Sequence, residues 1–430
     1  MQYVFVLDKN KKPLDPCHPA RARKLLKSDK AAVFRTYPFT IILKDRDLKN
    51  SIVREHRIKI DPGSKTTGMV LVDEENNKVV WAGEIIHRGH QIKKALLSRR
   101  MIRRSRRGRK CRYRPARFNN RKNQKKGWLP PSLESRIYNI ETWTNRLFRW
   151  SPANFISMEL VKFDTQLMED PEISGVEYQQ GELQGYEVKE YLLEKWGRKC
   201  AYCGKTGVKL ETEHIIPKTR GGSNQVSNLT LACHDCNEDK GNKTASEFGY
   251  PEIEKTAKKP LKDAAAMNAI RWKLWRRLSE YEVPVECGTG GRTKYNRIKQ
   301  NLDKERWIDA ACVGKYGENI FIPNHLSALN IKAMGNGNRQ MCLVNKYGFP
   351  RSRPKVSGKI KGFRTGDMAK AVIPKGKYKG THFGRVVIRA SGSFGVGNTD
   401  GISHRYCQIV QMADRFNYTR NEDKETLSRA

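Results

Sequence analysis

The sequence predicts an α/β multi-domain protein, and three observations carry that prediction. The chain has 430 residues, more than one ordinary hydrophobic core holds. Strand-like runs such as Arg57-Ile58-Lys59-Ile60-Asp61 alternate with helical-period stripes such as Ile137, Ile140, Trp143 and Leu147. Between them lies a cassette with two C-x2-C pairs, Cys200/Cys203 and Cys233/Cys236. Two such knuckles present four thiolates to one ion, which is what a closed, tetrahedral structural Zn²⁺ site requires.

Composition narrows the partner. Lys and Arg number 84 against 45 Asp and Glu, a formal charge of +39. An imbalance of that size implies a polyanion, with nucleic acid ahead of a membrane surface. Ten cysteines in this length are not a disulfide framework. Outside the cassette they are scattered (Cys17, Cys111, Cys287, Cys312, Cys342, Cys407), so a reducing cytosol is expected. The opening M-Q-Y-V-F-V-L-D lacks a basic n-region and reaches Asp8 early, unlike a secretion signal. No apolar run approaches a membrane span.

In chain order, Tyr3–Leu7, Ala31–Phe34 and Phe39–Leu43 read as strands and Pro19–Lys27 as a short basic helix. Lys12–Pro16 (K-P-L-D-P) reads as a turn. Arg57–Asp61 is a strand ending on an acid, followed by a Pro-Gly turn and a hairpin over 69–84. Residues 88–126 hold eighteen Lys or Arg, and no acid occurs between Glu84 and Glu134. Like charges this dense repel unless phosphates neutralise them, so a helix over about 91–107 is expected to be ordered by what it binds. Its arginines (Arg99, Arg100, Arg103, Arg104, Arg106, Arg107) suit bidentate phosphate contacts, and Tyr113 and Phe118 follow as candidate base-stacking side chains. The strand 154–160 carries Glu159 near its end, an acid that needs a partner or a metal if buried. Tyr186–Trp196 reads as a helix leading into the cassette, and Lys259–Tyr281 as a long helix with Leu261, Ala264, Ala265, Asn268, Trp272 and Trp275 on one side. Val283–Glu286 reads as a strand, Gly288–Arg292 as a flexible turn without Walker spacing, and Glu305–Ala311 as a helix carrying Asp309. The C-terminal stretch, with strands over 371–373 and 384–389, suggests a small basic β-barrel with a frayed end.

The cassette itself holds polar residues fit for chemistry: Glu213, His214, Asn228 and Asn237. Glu213 and Asn237 are expected to share one Mg²⁺ through oxygen ligands. His214 is a candidate general base toward water, the metal stabilising the leaving 3′ oxygen. Asn228 is expected to brace the loop that carries His214. A plain zinc ribbon with a surface histidine is the alternative for His214 alone. The full string E-H-I-I-P-x3-G-G-x5-N-L-x3-C-x2-C-N is more specific and resembles the HNH (ββα-metal) endonuclease motif.

With that motif in place, Asp61, Glu159 and Asp309 take on a second meaning. A strand-terminal Asp before a Gly turn and two antiparallel strands resembles the opening of an RNase H-like fold. Three such acid-bearing segments, with an Arg-rich helix after the first and an HNH insertion after the second, resemble the RNA-guided RuvC–HNH nucleases. The length, the K-P-L-D-P unit and the basic C-terminal domain resemble the IscB family, transposon-associated relatives of type II CRISPR effectors. The resemblance implies an N-terminal PLMP-like domain (1–52), RuvC segment I (53–87), a bridge helix (88–128), RuvC segment II (129–168), an HNH domain (169–255), RuvC segment III (256–335) and a C-terminal domain (336–430). It implies that Asp61, Glu159 and Asp309 bind two Mg²⁺ for cutting the displaced strand. His214, with Glu213, Asn237 and one Mg²⁺, would cut the guide-paired strand. The bridge arginines would grip guide RNA, and the C-terminal domain would contact the guide and a short motif beside a double-stranded DNA target. The implied particle is a monomeric ribonucleoprotein of a bacterial or archaeal cytosol.

Two positions depart from the family pattern. Pro13-Leu14-Asp15-Pro16 stands where P-L-M-P is usual, and Arg306 stands where a His usually precedes the third acid by three residues. An arginine is neither a base nor a ligand at neutral pH, so slower displaced-strand cleavage is expected. Two alternatives stay open: a transposon-associated RNA-binding protein without nuclease activity, and a self-guided HNH endonuclease of homing or restriction type.

Overall fold

The computed structural model describes residues 2–108, 128–160, 186–258, 264–324, 326–335, 345, 349–353 and 358–420. The end of the Arg-rich stretch with Tyr113 and Phe118, the expected start of the long helix at 259, and the last ten residues lie outside the described residues, as does the side chain of Arg106.

The N-terminal unit is a four-stranded sheet in the order β2-β1-β4-β3, built from β1 (Val4–Leu7), β2 (Pro13–Cys17), β3 (Ala31–Arg35) and β4 (Thr40–Leu43), with α1 (Pro19–Lys27) packed on it. The K-P-L-D-P segment is therefore mostly strand rather than turn. Its two prolines are tolerated because β2 is an edge strand, where a missing N–H breaks no second ladder.

The central sheet begins with β5 (His56–Asp61), β6 (Thr66–Asp73) and β7 (Lys78–Ile86), an antiparallel meander. The Arg-rich α2 (Gly89–Gly108) and amphipathic α3 (Pro131–Trp150) lead to β8 (Ala153–Glu159), which pairs parallel to β5. The chain then enters the cassette unit: α4 (Tyr186–Lys195), β9 (Leu210–His214), β10 (Leu229–Cys233), α5 (His234–Lys240) and α6 (Pro251–Lys258). It returns through α7 (Ala264–Leu278), β11 (Val285–Gly288), α8 (Gly290–Lys299), α9 (Arg306–Ala311) and β12 (Leu329–Ala333). The predicted flexible turn at 288–292 is the start of α8 instead. Thr289 caps that helix by accepting from the Arg292 amide, a signal more local than the Gly-Gly pair that obscured it.

A five-stranded antiparallel sheet follows, β13 (Met368–Ile373), β14 (Gly380–Val387), β15 (Ser393–Val396), β16 (Thr399–Ser403) and β17 (Cys407–Gln411), in the order β16-β15-β14-β13-β17. Its two edge strands do not pair with each other among the described residues, so it is an open sheet there and not the expected closed barrel. The last strand, β18 (Phe416–Arg420), leaves this unit and pairs with β12. The central sheet thereby reads β11-β8-β5-β6-β7-β12-β18.

Strand alternation decides which face of the sheet does what. Ile58 and Ile60 of β5 point into one core with Trp81 and α3, where Trp81 and Trp143 stack at 5.7 Å. The described buried side chains of α7 are Met267, Ile270, Leu274 and Leu278, with Trp275 partly buried; Leu261 and the side chains of Ala264, Ala265 and Asn268 lie outside the described ones. On the opposite face α9 packs Trp307, Ile308, Ala310 and Ala311 onto Val70, Val72, Val79 and Ala82. That face also receives Lys59 and Asp61. No helix of the described residues is long and apolar enough to cross a membrane.

Candidate functional site

Three acids meet at the carboxyl ends of the parallel strands. Asp61 ends β5 and Glu159 ends β8, and the Ile60–Met158 register sets the two side by side. Asp309 comes down from α9. All three line one cleft of about 140 Å³, together with Arg271, Arg297 and Arg306. Open α/β sheets bind ligands at this edge.

Two packing details bring Asp309 there. Gly68 of β6 lies under the first turn of α9, where a Cβ would meet the Arg306 carbonyl oxygen at 1.9 Å. At the far end of α9, buried Lys59 donates to the carbonyls of Ala311 (2.9 Å), Val313 (3.3 Å) and Tyr316 (2.8 Å). The three protons of its ammonium are matched by three oxygens. Burial pushes the Lys59 ammonium down to about 7, against the pull of Glu286.

Each acid faces a guanidinium. Arg271 Nη2 is 2.8 Å from Glu159 Oε1, Arg297 Nε is 2.9 Å from Asp309 Oδ1, and Arg306 Nη1 is 3.6 Å from Asp61 Oδ2. Burial raises the Asp309 carboxyl above its ordinary range, Arg297 opposes the rise, and the charge of Glu159 adds to it. Three carboxylates offer the oxygen ligands that a hard cation such as Mg²⁺ takes, while among the described residues the group gathered closely enough to hold an ion is the four cysteines. Arg271 and Arg297 carried no motif. Sequence reading missed them because an arginine on a basic helix looks like phosphate-binding surface.

The cassette unit is a hairpin and a helix closed by sulfur. The Sγ atoms of Cys200, Cys203, Cys233 and Cys236 all lie within 4.8 Å of one another, and Cys203 Sγ is 3.7 Å from Cys233 Sγ. A tetrahedron with Zn–S bonds of about 2.3 Å has edges of about 3.8 Å, so the four thiols fit zinc. Burial works against thiolate at Cys200, yet the amides of Cys233, Cys203 and Tyr202 bring it down to about 7.

His214 ends β9, half-buried, with Nε2 2.9 Å from Asn224 Oδ1. Donation to that oxygen puts the proton on Nε2 and leaves Nδ1 as the basic nitrogen. Asn224 was missed by sequence reading; it sits in the G-G-S-N loop, whose glycines drew the attention. Asn228 holds the loop after His214: its Oδ1 accepts from Ile216 N, and its Nδ2 donates to Ile216 O and Ser223 O, each at 2.9 Å. Gly222 makes that clasp possible, since a Cβ there would meet Ile216 O at 1.8 Å.

The expected Glu213–Asn237 ligand pair does not form. Glu213 is buried, and its two oxygens accept from Tyr202 Oη (2.7 Å) and Lys240 Nζ (2.6 Å). Asn237 Nδ2 donates to Glu211 Oε2 at 2.9 Å instead. The reason is the pleat: Glu211 and Glu213 share the face of β9 toward α5, where Asn237 and Lys240 stand three residues apart. A carboxylate under a helix is stabilised by the ammonium buried with it, and Glu213 is spent on that pair.

Exposed arginines cover α2. Arg99, Arg100, Arg103, Arg104 and Arg107 all face solvent, as do Leu97, Met101 and Ile102. The run Arg103-Arg104-Ser105-Arg106-Arg107 lies within a match to the family described as RRXRR protein, which spans residues 4–181. Residues 200–251 match the family described as HNH endonuclease. The protein carries an HNH endonuclease domain in an α/β multi-domain chain. No curated protein matches it. Among solved structures, Streptococcus thermophilus Cas9 in complex with the AGAA PAM is 11% identical over 60% of this chain and 32% of that one, at a TM-score of 0.22. The type II-C Cas9 from Actinomyces naeslundii is 18% identical over 45% and 26%, at a TM-score of 0.15. The chain thus spans about a third of the length of the first of these.

Proposed function

We propose that this protein is an RNA-guided DNA endonuclease with two hydrolytic sites. The observation that carries the reading is the convergence of Asp61, Glu159 and Asp309 in one cleft, although the bridge-like α2 and the whole cassette separate them in sequence. A self-guided HNH enzyme has no use for that second site, and a non-catalytic RNA-binding protein has no use for either.

In this reading the central sheet is an RNase H-like RuvC domain that cuts the displaced strand, and the cassette cuts the strand paired to the guide. Asp61, Glu159 and Asp309 would hold the Mg²⁺ ions, which supply Lewis acidity and an activated water when bound. In the cassette, His214 Nδ1 takes the proton of the attacking water while Asn224 fixes the ring and Asn228 the loop beneath it. Glu213 and Asn237 do not converge, so together they offer no ligand pair for a cassette Mg²⁺. The exposed arginines of α2 grip guide RNA through its phosphates, which base pairing alone would not anchor. The C-terminal sheet contacts the guide and the target-adjacent motif. A monomeric ribonucleoprotein on double-stranded DNA is the implied assembly.

The test is strand-resolved cleavage by protein purified with its RNA. Each chemical group is worth about 10²–10⁴ in rate. H214A is expected to lose the guide-paired cut by about 10³-fold and keep the other; D61N is expected to do the reverse. Loss of both cuts in either variant, or cutting by RNA-free protein, sinks the reading.

A further inference from the structure

The acidic cleft holds its own cations. Arg271, Arg297 and Arg306 stand at Glu159, Asp309 and Asp61 respectively. They come from three different helices or helix starts, α7, α8 and α9, so no single local motif explains the pattern. Lys294, Lys304 and Arg198 line the same cleft. Six basic groups around three acids leave a surplus of positive charge where a nuclease must bind divalent cations.

Two roles compete for these arginines. Purely structural ion pairs would stay closed when substrate arrives. Arginines that face a cleft can instead exchange a carboxylate for a phosphate, since the planar fork fits both oxyanions. Arg306 is 53% exposed at its side chain, so it reaches solvent and a passing strand. Arg271 and Arg297 are nearly buried, at 10% and 13%, and move only if something takes the charge they release.

We propose that Arg271, Arg297 and Arg306 form a latch that occupies the three carboxylates until a phosphodiester strand enters the cleft. The strand's phosphates draw the guanidiniums off, and divalent cations then take the freed oxygens. Metal and strand therefore bind cooperatively, each raising the affinity of the other by the same factor. The latch keeps a metal-dependent nuclease from assembling its cleft before a strand is displaced into it. The inference rests on the assignment of this cleft to strand cleavage.

Mn²⁺ binding, read by the electron paramagnetic resonance of the free ion, tests it on the full chain. E159Q identifies which bound Mn²⁺ belongs to the cleft. A cleavage-resistant phosphorothioate single strand is expected to tighten that Mn²⁺ site about tenfold in the wild type. R271Q and R297Q are expected to bind Mn²⁺ about tenfold more tightly without DNA and to lose the DNA-dependent gain. R297K keeps a charge at that position and is expected to stay close to the wild type, which covers the case where R297Q misfolds by circular dichroism. An equal DNA effect in wild type and in R271Q and R297Q marks ordinary counter-ion attraction and overturns the latch. So does Mn²⁺ binding that the arginine variants leave unchanged. Cleavage measured on the same samples separates the two claims. Coupling without cutting keeps the latch and removes the nuclease reading, and cutting without coupling removes only the latch.

Discussion

The cassette and the acidic cleft gather their polar side chains in opposite ways. In the cassette, the four sulfurs and His214 lie within 37 consecutive positions, from Cys200 to Cys236, on one hairpin and one helix. In the cleft, Asp61, Glu159 and Asp309 come from distant segments, and only sheet pairing and the seating of α9 unite them. The cassette spends its ion pairs inward, Glu213 on Lys240 beneath α5. The cleft spends them at the sheet edge, on two nearly buried arginines and on the exposed Arg306. A site built on local links depends on its cross-link. A site built on long-range packing depends on close contacts far from the chemistry.

That contrast sets where each should fail. Removing zinc should be the largest effect. C233S, or chelation, is expected to unfold the 200–251 unit, since structural zinc supplies about 10 kcal/mol in small metal-folded units. Elemental analysis should find one zinc per wild-type chain, and hydrogen exchange should show the central sheet still protected. Loss of both regions together would merge what the comparison separates.

Gly68→Ala is the matching lesion for the cleft. A methyl group 1.9 Å from a backbone oxygen cannot be absorbed by a side-chain rotation. Overpacking of this kind costs about 3 kcal/mol. It should lift α9, weaken displaced-strand cleavage and leave the cut made by His214 alone. Equal loss on both strands, read by end-labelled duplexes, would show that the two sites are not mechanically separate.

Acid should loosen the central sheet next. His87, at the end of the hairpin, is held neutral between Thr67 Oγ1 (2.8 Å) and Asn139 Nδ2 (3.3 Å). Burial, helped by Arg136, pushes it down to about 3. The unfolded chain takes up a proton below its ordinary pKa of 6.5 while the native state does not, so stability is present above that value and lost as pH falls toward 3. Between pH 7 and pH 5 the loss is about 2 kcal/mol. Exchange protection of β6 and β7 should fall accordingly, and H87Q should flatten the slope.

The smallest effect is Arg306→His. It removes a guanidinium 3.6 Å from Asp61 and puts a titratable ring on the first turn of α9. Displaced-strand cleavage should rise about tenfold with the other strand unchanged; no rise would detach Arg306 from the expected strand bias.

Much of the fold was legible because local patterns agreed with it. The stripe Ile137, Ile140, Trp143, Leu147 is buried as spaced, and the Asp61 strand and its hairpin run as read. What was misread depended on position in the whole. Pro13 and Pro16 look like a turn until β2 proves to be an edge strand. Phe416–Arg420 looks like the end of a basic domain until it pairs with β12. The Glu213–Asn237 pair failed on register along one shared face, since β9 places Glu211 opposite Asn237 and gives Glu213 to Lys240.

By itself the sequence determined the zinc-fit cysteines, the histidine beside them, the basic helix and the three acids, because residue type and short spacing state that chemistry directly. Tertiary structure decided which acids share a cleft, which carboxylate is spent on a lysine, and that every acid of the cleft meets an arginine. Those are matters of long-range pairing and of charge in low dielectric, where a partner from any part of the chain serves equally well and spacing along the chain says nothing about which one arrives.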